Sequence, residues 1–193
     1  MAEITLYIGG ARSGKSALAE EAAAACGKRV VYVATAGVWD EEMARRVELH
    51  RSRRPPDWET IEETHNVAGL LSSRLIGAAA VLVDCLTLWV TNLLLDRDLP
   101  WPGAGDRDKE SYLLGQAGAL ADAAATFPAP VFLVTNEVGA GIVPANGQAR
   151  LFRDVAGVVN RLVAARADRV IWTVAGIPVE IKNRRQKPAQ GGE

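Results

Sequence analysis

The chain has 193 residues, 49% of them apolar, and a formal net charge of −1. That length suits one compact domain with a real core, and the apolar content excludes a disordered protein. The near-zero charge argues against general binding to nucleic acid or to an anionic membrane, both of which want a strongly basic surface.

In chain order, "EITLYIGG" (3–10) reads as a buried strand that ends in glycines. "KSALAEEAAAACG" (15–27) reads as a helix stopped by Gly27, and "RVVYVATA" (29–36) as a second buried strand. "DEEMARRVELHRSRR" (40–54) is helical in pattern, acidic in its first turn and basic in its last, as a helix dipole prefers. Pro55 and Pro56 end it. A short extended piece, 57–63, precedes a helix over 66–77. The run 78–95 holds a strand to about Cys85 and then a helix. The proline- and glycine-rich stretch 96–107 is a surface loop. A helix over about 108–126 leads to a strand over 129–137, a glycine-rich loop, a long helix over about 147–167 and a strand over 168–176. Residues 178–182 can pair with that strand as a hairpin arm, and 183–193 form a frayed tail of the single domain 1–193.

Short apolar strands alternating with helices predict an α/β fold: a mostly parallel sheet with helices on both faces. Ligands of such sheets collect at the carboxyl ends of the strands. The two cysteines, Cys26 and Cys85, make no disulfide framework and no zinc spacing. Both are expected to be small buried hydrophobes in a reducing, cytoplasmic setting. The chain enters its first strand with no leader pattern, and no run is long enough for a membrane span.

"GGARSGKS" (9–16) fits the spacing G-x-x-x-x-G-K-[ST]. Gly9, Gly10 and Gly14 let the backbone curl so that successive N–H groups face one cavity. The following helix adds its positive N-terminal end. Lys15 can reach the β- and γ-phosphates of a nucleotide, and the Ser16 hydroxyl can ligate Mg²⁺. "VLVDC" (81–85) supplies the other half: apolar residues carry one carboxylate, Asp84, to a strand end, where it can hold Mg²⁺. The alternative for Asp84 is a helix N-cap.

"ARRVELHRSRRPPDW" (44–58) surrounds His50 with Arg45, Arg46, Arg51, Arg53 and Arg54. One reading makes His50 part of an apolar helical stripe with solvated arginines beside it. The other makes it a nucleophile: guanidinium groups clamp phosphate without reacting, whereas a neutral imidazole can attack phosphorus. Neighbouring positive charge favours the neutral ring. His65, in "EETHN", is expected to be a surface or capping residue. Trp89 and Trp172 sit in apolar segments that suggest core, which leaves little for stacking on nucleic-acid bases.

With these motifs in place, the chain resembles the bifunctional adenosylcobinamide kinase / adenosylcobinamide-phosphate guanylyltransferases of cobalamin assembly. The likeness runs over roughly residues 4 to 182. It is carried by "GGARSGKS", "YVATA" (32–36), "DEEMARRVELHRSRRP" (40–55), "WETIEE" (58–63), "DCLTLWVTNLL" (84–94), "TNEVGAGIVP" (135–144) and "FRDVAGVVNRLVAARADRV" (152–170). The resemblance implies a P-loop NTPase fold of RecA-like type. It implies two reactions: phosphorylation of adenosylcobinamide by ATP or GTP, then transfer of GMP from GTP to the phosphorylated corrinoid through a guanylyl-histidine. His50 would be the guanylylated residue. Nucleotide contacts would fall on Gly9, Gly10, Ala11, Arg12, Ser13, Gly14, Lys15 and Ser16, on Ala34, Thr35 and Ala36, on Arg51, Ser52, Arg53 and Arg54, and on Glu62 and Asp84. The family is also known as a homotrimer. The rival expectation is a P-loop small-molecule kinase without the guanylyltransferase step.

Overall fold

The computed structural model describes residues 3–37, 41, 45, 54–73, 75 and 77–184. Among them, strands β1 (Ile4–Gly9), β2 (Val30–Ala34), β3 (Glu59–Glu62), β4 (Ala80–Asp84), β5 (Val131–Asn136), β6 (Arg169–Val174) and β7 (Ile177–Asn183) form one sheet in the order β3-β2-β4-β5-β1-β6-β7. Every neighbouring pair is parallel except β6 with β7, the expected hairpin. The inner strands are nearly continuous runs of β-branched and apolar residues because both their faces are covered. Strand β5 stands between β1, which feeds the glycine loop, and β4, which ends in Asp84. The sheet is mostly parallel and has helices on both faces, as the alternation of strands and helices predicts.

The helices are α1 (Lys15–Ala24), α2 (Val67–Ser73), α3 (Leu86–Leu95), α4 (Asp106–Thr126) and α5 (Gly147–Arg166). Side chains of α2 to α5 pack with Leu6, Val33, Val83 and Leu133 on one face of the sheet. Helix α1 covers the other face, where Ala19 and Ala23 meet Tyr7, Tyr32, Leu82 and Phe132. Small residues on α1 let that helix lie close to the sheet. Trp89 of α3 is fully buried, and its indole N–H donates to the His65 carbonyl at 2.8 Å. A buried indole needs such a partner.

Several expectations need correction. The helix expected over 66–77 ends at Ser73, and Gly77 (φ 80°) turns the chain towards β4. Cys85 is buried, but Cys26 is exposed just past the end of α1, where its thiol donates to the Ala22 carbonyl. Trp172 is not core: it is 43% exposed, because its strand pairs outward with the edge strand β7. Of the segment 40–54, Glu41, Arg45 and Arg54 are described; Glu41 and Arg45 are helical. No helix among the described residues is long and apolar enough to cross a membrane.

Candidate functional site

Strand β1 ends in Gly9, and the loop 10–14 leads into α1. Ser13 N–H donates to Gly10 O at 3.3 Å, closing the loop on itself. Arg12 (φ 57°) and Gly14 (φ 93°) adopt left-handed conformations that turn the chain into the helix. A side chain at Gly9 would lie 2.4 Å from the Thr173 carbonyl oxygen, so only glycine fits there. The hairpin turn between β6 and β7 supports the loop from below: Gly176 N–H donates to Ser13 O at 2.9 Å.

Helix α1 opens at Lys15 with no side-chain cap and no acidic residue in its first turn. Its first N–H groups are therefore available to an anion. Lys15 is 8% exposed, and its amine donates to Gly10 O at 3.1 Å. Burial lowers its pKa, while Cys85 and Asp84 work in the opposite direction. A phosphate is a far stronger acceptor for this amine than a loop carbonyl. Ser16 follows on the first turn of α1, half-buried. Gly10, Ala11 and Arg12 are exposed, whereas Ser13 is buried with no hydrogen-bond partner for its hydroxyl.

Asp84 ends β4 in register with Ala34, the last residue of β2. Its carboxylate does not cap α3; Cys85 holds the cap position, without a side-chain bond. Instead, Asp84 Oδ2 accepts a hydrogen bond from the Tyr32 hydroxyl at 3.1 Å. The Asp84–Cys85 peptide is cis. Burial, and next the charge of Asp84, push the Cys85 thiol up to about 12, so it stays protonated. Thr35 is fully buried, and its hydroxyl accepts from Cys85 N and donates to Cys85 O, both at 2.7 Å. That hydroxyl is committed to the fold, leaving the Thr35 backbone as the part a ligand could use. Ala36 is half-buried beyond it. Glu62 ends β3 opposite Ala34, exposed at the same edge.

Of the arginines of the basic segment, Arg45 and Arg54 are described, and Arg54 is the one that reaches Tyr32. Its guanidinium carbon lies 3.4 Å from the Tyr32 ring centroid, and its Nη1 donates to Thr60 Oγ1 at 3.2 Å. His50, Arg51, Ser52 and Arg53 lie outside the described residues. The carboxyl ends of the strands thus carry, along the sheet, Glu62 on β3, Ala34 on β2, Asp84 on β4 and the glycine loop with Lys15 and Ser16 after β1, and Arg54 reaches this row through Tyr32. The oxygen donors Ser16 and Asp84 are of the hard type that suits Mg²⁺.

Sequence reading missed Tyr32, which sits inside a strand that looks like plain core; a hydroxyl on an otherwise apolar strand was the one signal. It also missed the polar lattice beneath the strand ends. Thr135 donates to Asn160 Oδ1 at 2.7 Å, Asn160 Nδ2 donates to Asn136 O, and Asn136 N–H donates to Thr87 Oγ1. Asn136 contributes its backbone to this lattice, and Glu137 Oε1 accepts from Gly139 N–H in the following turn. His65 is at the surface, its side chain 39% exposed, and it is paired there rather than capping a helix: its Nε2 lies 3.2 Å from Asp96 Oδ2 and its Nδ1 2.8 Å from Thr64 Oγ1.

Comparison with known proteins gives a consistent result. The family model described as cobinamide kinase / cobinamide phosphate guanyltransferase matches residues 5–181. A protein of Pseudomonas aeruginosa named bifunctional adenosylcobalamin biosynthesis protein CobP is 44% identical over 177 residues, 92% of this chain and 96% of that one. The Escherichia coli K12 protein named bifunctional adenosylcobalamin biosynthesis protein CobU is 43% identical over 183 residues, 92% of this chain and 98% of that one. Among solved structures, the RadB recombinase aligns with a TM-score of 0.44 at 17% identity, over 88% of this chain and 73% of that chain.

Proposed function

The chain belongs to the cobinamide kinase / cobinamide phosphate guanyltransferase family, and from that premise we propose which of its residues carry the two reactions. In the kinase step, the loop Gly9–Ser16 and the N-terminus of α1 grip the β- and γ-phosphates of ATP or GTP. Lys15 leaves the Gly10 carbonyl and follows the charge of the transferring phosphoryl group. Ser16 and Asp84 would hold Mg²⁺, which would supply neutralisation of the phosphate charge. The hydroxyl of the corrinoid's aminopropanol arm takes the γ-phosphoryl group, and the nucleoside diphosphate leaves.

In the guanylyltransferase step, a ring nitrogen of His50 attacks the α-phosphorus of GTP. The bond from that phosphorus to the bridging oxygen breaks, and pyrophosphate leaves. A phosphate oxygen of the cobinamide phosphate then attacks the same phosphorus. The histidine–phosphorus bond breaks, releasing adenosyl-GDP-cobinamide and the free imidazole. Arg51, Arg53 and Arg54 neutralise the phosphates, and Glu62 accepts hydrogen bonds from the nucleoside. Because γ-transfer and attack at the α-phosphorus need different nucleotide positions, the nucleotide or the segment 40–54 shifts between the steps.

One observation carries this reading: Arg54, the end of the basic segment, packs on the tyrosine that bonds Asp84. His50 lies four residues before Arg54, a chain length of at most about 14 Å. Through its contact with Tyr32, Arg54 is held at the carboxyl ends of the strands, the same end of the sheet from which the glycine loop leaves β1. Incubation with GTP labelled at the α-phosphate tests the proposal. Acid-labile, alkali-stable label on the protein, absent in His50→Ala, is the expected result; an unlabelled wild-type protein that still phosphorylates the corrinoid leaves the kinase alone.

We also propose a homotrimer, as the family resemblance implies. It is supported by an uncovered apolar surface on the outer hairpin, where Trp172, Val174, Ile177, Val179 and Ile181 are 43–64% exposed. Such a patch marks an interface in a soluble protein. Light scattering should give three times the chain mass of 20.6 kDa; a monomer across the micromolar range refutes it.

A further inference from the structure

Tyr32 lies two residues before the end of β2, and strand alternation fixes where its side chain goes. In register it sits between Leu82 of β4 and Thr60 of β3. Asp84 is two residues beyond Leu82, so its carboxylate projects from the same face of the sheet as the phenol. Tyr32 is 2% exposed beneath α1. A hydroxyl so deeply buried costs stability unless it is bonded, and its bond goes to Asp84 Oδ2 at 3.1 Å. That bond uses one oxygen of the carboxylate and leaves the other free to face a cation.

The ring makes a second connection. The Arg54 guanidinium carbon lies over it, 3.4 Å from the centroid, well inside cation–π range. Arg54 Nε is buried without a hydrogen-bond partner, so the ring face and Thr60 are what hold the group in place. One side chain therefore touches both the carboxylate on β4 and the end of the arginine segment.

We propose that Tyr32 is a positioning residue for both reactions: its hydroxyl sets the orientation of Asp84, and its ring seats Arg54, one of the groups that neutralise the phosphates. This rests on the reading above, in which Asp84 helps hold Mg²⁺ and His50 is guanylylated. The two halves of the side chain act separately. Tyr32→Phe removes the hydroxyl and keeps the ring; Tyr32→Leu removes both.

Mn²⁺ binding in the presence of a non-hydrolysable GTP analogue, followed by the electron paramagnetic resonance of the free ion, reads the first half without turnover. Tyr32→Phe should weaken Mn²⁺ binding by roughly tenfold, the loss expected for one hydrogen bond to a charged group. Self-guanylylation with α-labelled GTP reads the second half. At saturating Mg²⁺, Tyr32→Phe should recover wild-type labelling, whereas Tyr32→Leu should stay down by roughly tenfold for want of the ring under Arg54. Unchanged Mn²⁺ affinity in Tyr32→Phe, or equal labelling by the two variants, overturns the proposal. Asp84→Asn is the control: if it binds Mn²⁺ as the wild type does, the metal reading itself fails. If it weakens binding and Tyr32→Phe does not, the tyrosine proposal alone fails. Without wild-type label the guanylyl-histidine reading falls, and the Mn²⁺ result decides the tyrosine–carboxylate link.

Discussion

At the residue scale, Lys15 shows how a binding site stores a cost in the free protein. Burial lowers its pKa, so its charge opposes folding below that lowered value, and the cost fades as pH rises through it. Lys15→Met is therefore expected to keep or raise the melting temperature at neutral pH, by up to about 1 kcal/mol of stability. The same variant should lose about two to three orders of magnitude in phosphoryl transfer if Lys15 stabilises the transferring phosphoryl group as proposed. Parallel thermal melts and kinase assays check both halves. Tyr7 gives the alkaline counterpart. Burial raises its pKa above the ordinary value of 10.0, with Arg169 opposing. The unfolded phenol ionises first, so stability present below pH 10 is lost as pH climbs towards the folded value. The slope is up to about 1.4 kcal/mol per pH unit. Urea unfolding from pH 9 to 11 should show that decline, made shallower in Tyr7→Phe but not abolished, because burial also raises the Tyr32 phenol.

At the element scale, the hairpin β6–β7 does more than close the sheet. Ala175 and Gly176, with φ 51° and 82°, form its two-residue turn. Both φ values are positive, as a twisted hairpin requires. Glycine accepts this conformation readily and alanine does not. Ala175→Gly is expected to stabilise by about 0.5–1 kcal/mol, net of the added chain entropy, measured as a higher urea midpoint. Gly176 in the same turn bonds Ser13, so the hairpin also braces the glycine loop. Helix α3 shows a different control. Lys109 of α4 donates to the carbonyls of Leu94 and Asp96 at its C-terminal end, and Trp89 locks it to the His65 carbonyl. Trp89→Ala should cost about 3–5 kcal/mol through the cavity and the lost bond, read by chemical denaturation.

At the scale of the whole molecule, nucleotide binding and fold stability are one equilibrium. The glycine loop, β4 and β2 are joined through the central sheet, so a ligand on the strand ends stabilises the folded chain. GTP with Mg²⁺ at a hundred times its dissociation constant should add about 2.7 kcal/mol. A thermal shift that disappears in Lys15→Met checks this. The elements were legible in the sequence because apolar periodicity and glycine or proline stops act locally. The phosphate loop was legible because its glycines and lysine are contiguous. Asp84 was found as a lone carboxylate at the end of an apolar run. The link from Tyr32 to Asp84 and Arg54 was not, because it joins residues 52 and 22 positions apart along the chain. Nor was the exposure of Trp172, since an apolar strand looks the same in the middle of a sheet as near its edge. The sequence by itself determined the strands, the helices and the glycine loop between β1 and α1, since each is set by neighbours within a few residues. Only the tertiary structure decided the strand order, which carboxylate oxygen is held, which arginine stacks, and which apolar face is left uncovered, because pairing between distant strands fixes all four.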